Sequence, residues 1–232
     1  LCAASATSAR QLYGSDFQNE TIGKVPTGWE RGFEGVGVAS VIKDPKDGNN
    51  KILSSLDQPA GKARHDVGGS IYVVGSPDWT DYIVQYDALF PEEYYEGVVF
   101  RFVEGNSFYL FDRRSGGEAG KFDFWVRAGG NWTGVQRGAE FPTQIGKWYR
   151  FRIVVTGDKF DAYAAEMNDK TPFANMKPFL SGTNNQYKKG KFGLYGLIYV
   201  DNVIIGESEA DMALAVEPQG KLASTWGELK AR

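Results

Sequence analysis

The chain has 232 residues, with 26 basic and 29 acidic side chains, a net charge of −3, 29 glycines, one cysteine and one histidine. The charge balance excludes a general nucleic-acid binder. The lone Cys2 excludes a disulfide framework and a cysteine zinc site, and the lone His65 a multi-histidine metal centre.

Residues 1–10 read LCAASATSAR, small and weakly apolar, and resemble the tail of a secretory signal peptide, with Thr7-Ser8-Ala9 where a signal peptidase needs small residues. The expectation is a secreted or periplasmic protein; the alternative is an Ala/Ser-rich leader. Asp16-Phe17 opens the first ordered stretch, GKVPTG (23–28) forms a turn-rich loop, and 33–42 reads as one or two strands. DPKDGNN (44–50) is a strong turn cluster. Short strands follow at 51–54 and 71–74, then a meander at 81–90, 97–103, 107–113, 121–127, 148–156 and 159–166. Segments of this length and spacing, separated by Gly, Asn and Asp, predict an all-β sandwich or barrel. Gly157-Asp158 suits a two-residue hairpin turn. The last ordered unit, 190–206, divides into two strands. One domain over 11–207 is the economical reading, followed by a tail at 208–232 in which 224–230 could form a short helix. No apolar run of ~18 residues is present to span a membrane.

Strand side chains alternate between faces, which assigns a core side. Tyr149, Phe151, Ile153 and Val155 point inward, leaving Trp148, Arg150 and Arg152 outside. Phe122, Phe124 and Val126 point inward, leaving Asp123, Trp125 and Arg127 outside. Val98, Phe100 and Phe102 point inward and Arg101 outward. Over 107–113 both phases are apolar; Tyr109, Phe111 and Arg113 are assigned outward because a core-facing arginine is costly. The outward set then concentrates arginines and aromatic rings on one face. Guanidinium forks bind carboxylate or sulfate, and rings stack on sugar C–H faces. Arg101, Tyr109, Arg113, Trp125 and Arg127, with Trp132 on the Gly-rich loop 129–131, are therefore the candidate ligand-binding residues, for a glycan that arginine would allow to be acidic. The same arginines could instead simply pair with Asp112, Asp123 and Asp161.

Four segments carry a family resemblance. KWYRFRIVVTGD (147–158) resembles the W-Y-x-[FL]-R-[IV]-x-V-x-G strand of concanavalin A-like lectin/glucanase domains, in particular the LamG-like bacterial jelly rolls. GKFGLY (190–195) with VDNV (200–203), GVVFRF (97–102) with SFYL (107–110), and Asp16-Phe17 with PTGW (26–29) resemble the ending, a hairpin and the opening of the same family. The resemblance covers about residues 13–207 and extends to 3-keto-disaccharide hydrolase-like domains. It implies a two-sheet antiparallel jelly-roll β-sandwich with adjacent first and last strands. It also implies a structural calcium ion near that junction, where Asp16 and Asp201 match, and no organic cofactor. The family includes enzymes as well as binding modules. The E-x-D-x-x-E signature of family-16 glycoside hydrolases is absent. Glu92, Glu93 and Glu96 around Tyr94-Tyr95 could pair as carboxylates, and His65 beside Arg64 and Asp66 is the candidate base for a polysaccharide lyase. A carbohydrate-binding module is the first expectation, a glycan-active enzyme or a structural and adhesion module the alternatives.

Overall fold

A computed structural model describes residues 11–33, 37–57 and 71–212. The leader, His65 and the 224–230 helix lie outside the described residues. Fifteen strands occur among the described residues: β1 (Gln11–Ser15), β2 (Trp29–Phe33), β3 (Val38–Lys43), β4 (Lys51–Asp57), β5 (Ile71–Val74), β6 (Tyr82–Leu89), β7 (Glu96–Glu104), β8 (Ser107–Arg113), β9 (Lys121–Ala128), β10 (Asn131–Glu140), β11 (Trp148–Thr156), β12 (Lys159–Glu166), β13 (Leu180–Thr183), β14 (Lys191–Gly196) and β15 (Tyr199–Gly206). No α-helix occurs among the described residues.

The strands make two antiparallel sheets, a jelly-roll β-sandwich. One is seven-stranded in the order β10-β9-β8-β7-β14-β5-β2; the other is eight-stranded, β13-β12-β11-β6-β15-β4-β3 with β1 also pairing β15. The first and last strands are thus neighbours, Tyr13 opposite Ile205 and Ser15 opposite Val203. Gly157 stands at φ 55° in the two-residue turn that joins β11 to β12, a backbone a glycine adopts without steric cost. β11 shows why the sequence takes this form. Its aromatic and β-branched residues suit a pleated surface, and Tyr149, Phe151, Ile153 and Val155 all enter the inter-sheet core. Phe122, Phe124 and Val126 meet them from β9.

Two strands depart from the predicted phase. On β8 it is Tyr109 and Phe111 that enter the core, and Phe108 and Leu110 that face outward, in a second apolar cluster on the outside of the seven-stranded sheet. On β7 the phase changes within the strand. Val98 and Phe100 point inward, but Arg101 adopts φ 45° at a bulge, and Phe102 emerges in the outer cluster. A bulge inserts one residue and so exchanges the faces beyond it.

Candidate functional site

The outer cluster floors a hollow of about 280 Å³ on the seven-stranded sheet, lined by Tyr95, Leu110, Asp112, Arg114, Trp125, Trp132 and Tyr195. Adjacent strands supply it: Leu110 and Asp112 from β8, Trp125 from β9, Trp132 from β10 and Tyr195 from β14, with Tyr95 just before β7. Gly97 on β7 lies between Asp112 and Tyr195 in register, and a side chain there would strike Phe111 O at 2.1 Å and Asp112 Cα at 2.8 Å. The glycine therefore permits the close approach of β7 and β8 beneath the hollow.

Three rings form its walls edge to face. Trp125 and Trp132 lie 6.4 Å apart at 83°, and Trp132 and Tyr195 6.1 Å apart at 79°. Trp132 is 39% exposed and Trp125 half-buried. Guanidiniums brace them: Arg114 stands 5.0 Å and Arg137 4.7 Å from the Trp125 ring centre, and Arg127 4.8 Å from that of Trp132. Such contacts are worth about 0.5–2 kcal/mol and hold each ring at a fixed angle.

The polar floor is a linked network. Arg114 Nη1 donates to Asp112 Oδ2 at 2.9 Å, and its Nε lies 3.4 Å from Asp123 Oδ2. Asp123 also accepts from Arg137 Nε at 3.3 Å and from the Gly138 N–H at 2.7 Å. Asp112 is 1% exposed, and its Oδ1 is shielded from solvent. The indole N–H of Trp125, equally shielded, acts on that carboxyl as a hydrogen-bond donor. Burial pushes the Asp112 carboxyl up to about 7, against the pull of Arg114. Burial likewise raises the Tyr195 phenol above its ordinary value.

The structure separates the sequence-predicted residues. Trp125, Arg127 and Trp132 meet on one surface; Trp132 lies opposite Arg127 on a strand rather than on a loop. Arg101, Tyr109 and Arg113 lie elsewhere, which corrects the outward assignment. Arg101 is buried, donating to Thr80 O at 3.1 and 2.9 Å, to Tyr187 O at 3.0 Å and to Asp81 Oδ1 at 3.2 Å. Four hydrogen bonds to three partners offset the desolvation that makes an unpaired core arginine costly. Tyr109 donates to Asn184 Oδ1 at 2.8 Å inside the sandwich. Arg113 grips Glu93 with two bonds of 3.0 and 2.8 Å and packs over Phe90. Arg150 and Arg152 lie outside the other sheet, so the arginines do not share one face. Arg150 pairs with Asp87, and Arg152 with Gln85 and Glu209. The loop carboxylates divide too: Glu93 is held by Arg113, and Glu96 is fully buried beside the Glu92 backbone N–H.

The residues at the β1–β15 junction do not fit calcium. Asp16 Oδ1 accepts from the Gln18 N–H, and Asp201 accepts from Asn50 Nδ2 and the Asn202 N–H. The loop carbonyls of Gln18 and Glu20 instead receive the Lys51 ammonium, both at 2.8 Å. A fixed ammonium on oxygens that a calcium ion would recruit repels that ion. Among the described residues no cluster of three or more His, Cys, Asp or Glu could hold a metal.

Sequence reasoning missed Tyr95, Leu110, Asp112, Arg114 and Tyr195. Tyr195 was legible from its alternation with the inward Phe192 and Leu194. Leu110 and Asp112 follow once β8 is placed in its observed phase.

No family model matches the chain, and no curated protein matches its sequence. Solved structures share the fold. The carbohydrate-binding module CBM66 from Bacillus subtilis superposes with a TM-score of 0.54 at 15% identity, covering 78% of this chain and 96% of the module. Domain 4 of AbnA, a GH43 extracellular arabinanase from Geobacillus stearothermophilus solved with arabinotriose, gives 0.53 at 13% identity, covering 88% and 97%. A protein of unknown function from Shewanella oneidensis gives 0.53 at 13%, covering 89% of both chains.

Proposed function

We propose that this chain is a carbohydrate-binding module whose glycan sits in the hollow walled by Trp125, Trp132 and Tyr195. The carrying observation is the set of three angled rings that wall the hollow over the apolar Leu110. Apolar rings receive the C–H face of a sugar. At about 280 Å³ the hollow is near the small end of ligand pockets, which run to ~300–1,000 Å³, so it suits a ring or chain end better than a long segment. The fold shared with a carbohydrate-binding module and with an arabinotriose-bound domain supports this reading.

The test is a glycan array with added calcium or chelator, probed with the native chain and with Trp125→Ala and Trp132→Ala. Binding that falls in both variants and ignores calcium agrees with the proposal. Binding unchanged in both removes the hollow from consideration.

A further inference from the structure

Three guanidiniums and two carboxylates stand around the rings of the hollow. Asp112 and Asp123 pair with Arg114 and Arg137, while Arg127, stacked on Trp132, makes no ion pair among the described residues. The charge of Arg127 still reaches the lining. Burial raises the Tyr195 phenol, Asp112 adds to the rise, and Arg127 and Arg114 oppose it. With both acids ionised the set is positive by one charge, in a chain whose net charge is −3. Burial of Asp112, which lifts its carboxyl to about 7, moves the balance further that way near neutral pH.

Arg137 is the open member of the set. The β9–β10 register slips between Gln136 and Ala139, and Arg137 lies across the Trp125 ring. Gly134, opposite Trp125, makes room for its stem, since a Cβ there would stand 2.7 Å from Arg137 Cδ. Arg137 Nε lies 3.3 Å from Asp123 Oδ2, the oxygen that Arg114 Nε approaches at 3.4 Å, so the two guanidiniums are neighbours at the edge of the hollow. The Arg137 side chain is 50% exposed, and neither of its terminal nitrogens bonds protein among the described residues. Arg114, which lines the hollow, donates through Nη1 to Asp112 and has no such partner at Nη2. A guanidinium stacked on a ring and fixed at Nε holds out two N–H groups as a fork, which a carboxylate or sulfate ester matches. We infer that the glycan of this hollow is anionic, and that the terminal nitrogens of Arg137, with Arg114 Nη2 beside them, take its carboxylate or sulfate group. The inference rests on the hollow being the glycan site.

The sugar ring seats among the aromatic walls while its charged substituent turns to the rim. A neutral glycan leaves the Arg137 fork unused. An arginine that only braced Trp125 would serve neutral and acidic glycans alike, so the two roles differ in what Arg137 does for charge.

The experiment uses calorimetry at pH 7 on tetrasaccharides matched in backbone: glucan, glucuronan and sulfated glucan, and the same three forms of galactan and mannan. The expected result is that an acidic form exceeds its neutral partner at least tenfold and weakens as salt rises. Which acidic form binds identifies the group as carboxylate or sulfate. Arg137→Gln, at a half-exposed position that the fold tolerates, should weaken the acidic form about tenfold and make its salt dependence shallower. The neutral form should stay within threefold. Neutral binding as tight as acidic binding, or no binding by any acidic form, overturns the inference and leaves the glycan reading to the array. Acidic binding unmoved by Arg137→Gln overturns it too. So do equal losses of neutral and acidic forms, which would show that Arg137 only braces the ring. Binding that survives Trp125→Ala together with Trp132→Ala overturns the glycan site itself.

Discussion

The two outer faces of the sandwich are built from similar residues in opposite states. Outside the eight-stranded sheet, Arg150 and Arg152 close their bonds on Asp87, Gln85 and Glu209, while Ile83, Ile204 and Met212 form a small apolar patch. Outside the seven-stranded sheet, the arginines stack on indoles whose rings wall an open hollow. A surface whose polar groups satisfy each other gains little by adding a ligand. A surface that holds rings at fixed angles around an open hollow offers apolar area that the face of a sugar can cover. Composition does not distinguish the two; the arrangement of the rings does.

The comparison breaks if the inner layer contributes to binding, and Arg101 is the severest check. Arg101→Met leaves Thr80 O and Tyr187 O without their guanidinium donors. The expected loss is about 4 kcal/mol of stability, on the order of 10 °C in Tm for a domain of this size, read by calorimetry. Glycan affinity of the folded fraction should stay within twofold. A variant that keeps its Tm and loses its ligand would return Arg101 to the binding face.

A second inner-layer check is Glu96, in phase with Val98 and Phe100 and flanked by Arg113, Glu93 and Glu92. Burial pushes its carboxyl up to about 9, with Arg113 opposing and the two glutamates adding to the rise. The folded chain therefore holds a proton that the unfolded chain releases near 4.5. This contribution to stability is present below that value and is lost as pH rises toward 9, by at most about 1.4 kcal/mol per pH unit. Glu96→Gln should flatten the slope and raise stability at pH 8 by roughly 2–3 kcal/mol in denaturant titrations. An unchanged slope would show that the carboxyl is solvated.

These inner residues also mark where the sequence stopped being legible. The inward faces of β9 and β11 could be read because charged residues mark the other phase, Asp123 and Arg127 on β9 and Arg150 and Arg152 on β11. β8 could not, since its central residues are apolar on both faces: Phe111 enters the core, and Leu110 lies under Trp125 and Trp132. The cost of a core-facing arginine then chose the wrong phase. That cost holds for an unpaired guanidinium, but Arg113 ends its strand where Glu93 and Thr143 reach it. The bulge at Arg101 has no local signature; the residue tolerates φ 45° because Tyr82 Oη accepts its N–H at 2.8 Å and carbonyls from distant loops bind its head. The all-β class was readable from the strand pattern, whereas the jelly roll and the closing of β1 on β15 were implied by the family resemblance, which rests on motifs and their order. Of the hollow's lining, the sequence singled out Trp125 and Trp132, with Arg127 stacked on Trp132, and Tyr195 was legible by alternation; cross-strand register decides the rest.

The sharpest form of the comparison sets one tryptophan against another. Trp125→Ala removes a wall of the hollow, and should weaken the bound glycan by about 2 kcal/mol, roughly thirtyfold. Trp148 on the opposite face stands beside Asp87, Asp201 and Asn202. There the carboxylates are bonded to Arg150, Asn50 and Asn202. Trp148→Ala should leave affinity within twofold. Equal losses in the two variants would mean that both faces bind.

The smallest effect separates a paired surface from a useful one. Arg152→Ala removes bonds to Gln85 and Glu209 and its stacking on Phe173, 4.9 Å from the ring centre. Glu209 is exposed, so its charge returns to water, and Gln85 regains solvent through the space left behind. What is lost is packing of the arginine stem and one partly screened pair, about 1 kcal/mol or less. Denaturant titration should find a shift of that size, reduced further at high salt, and glycan affinity should not move. A loss of several kcal/mol would mean that the ion pairs of this face hold the sheet together, and that their bonding says nothing about which face is free to take a ligand.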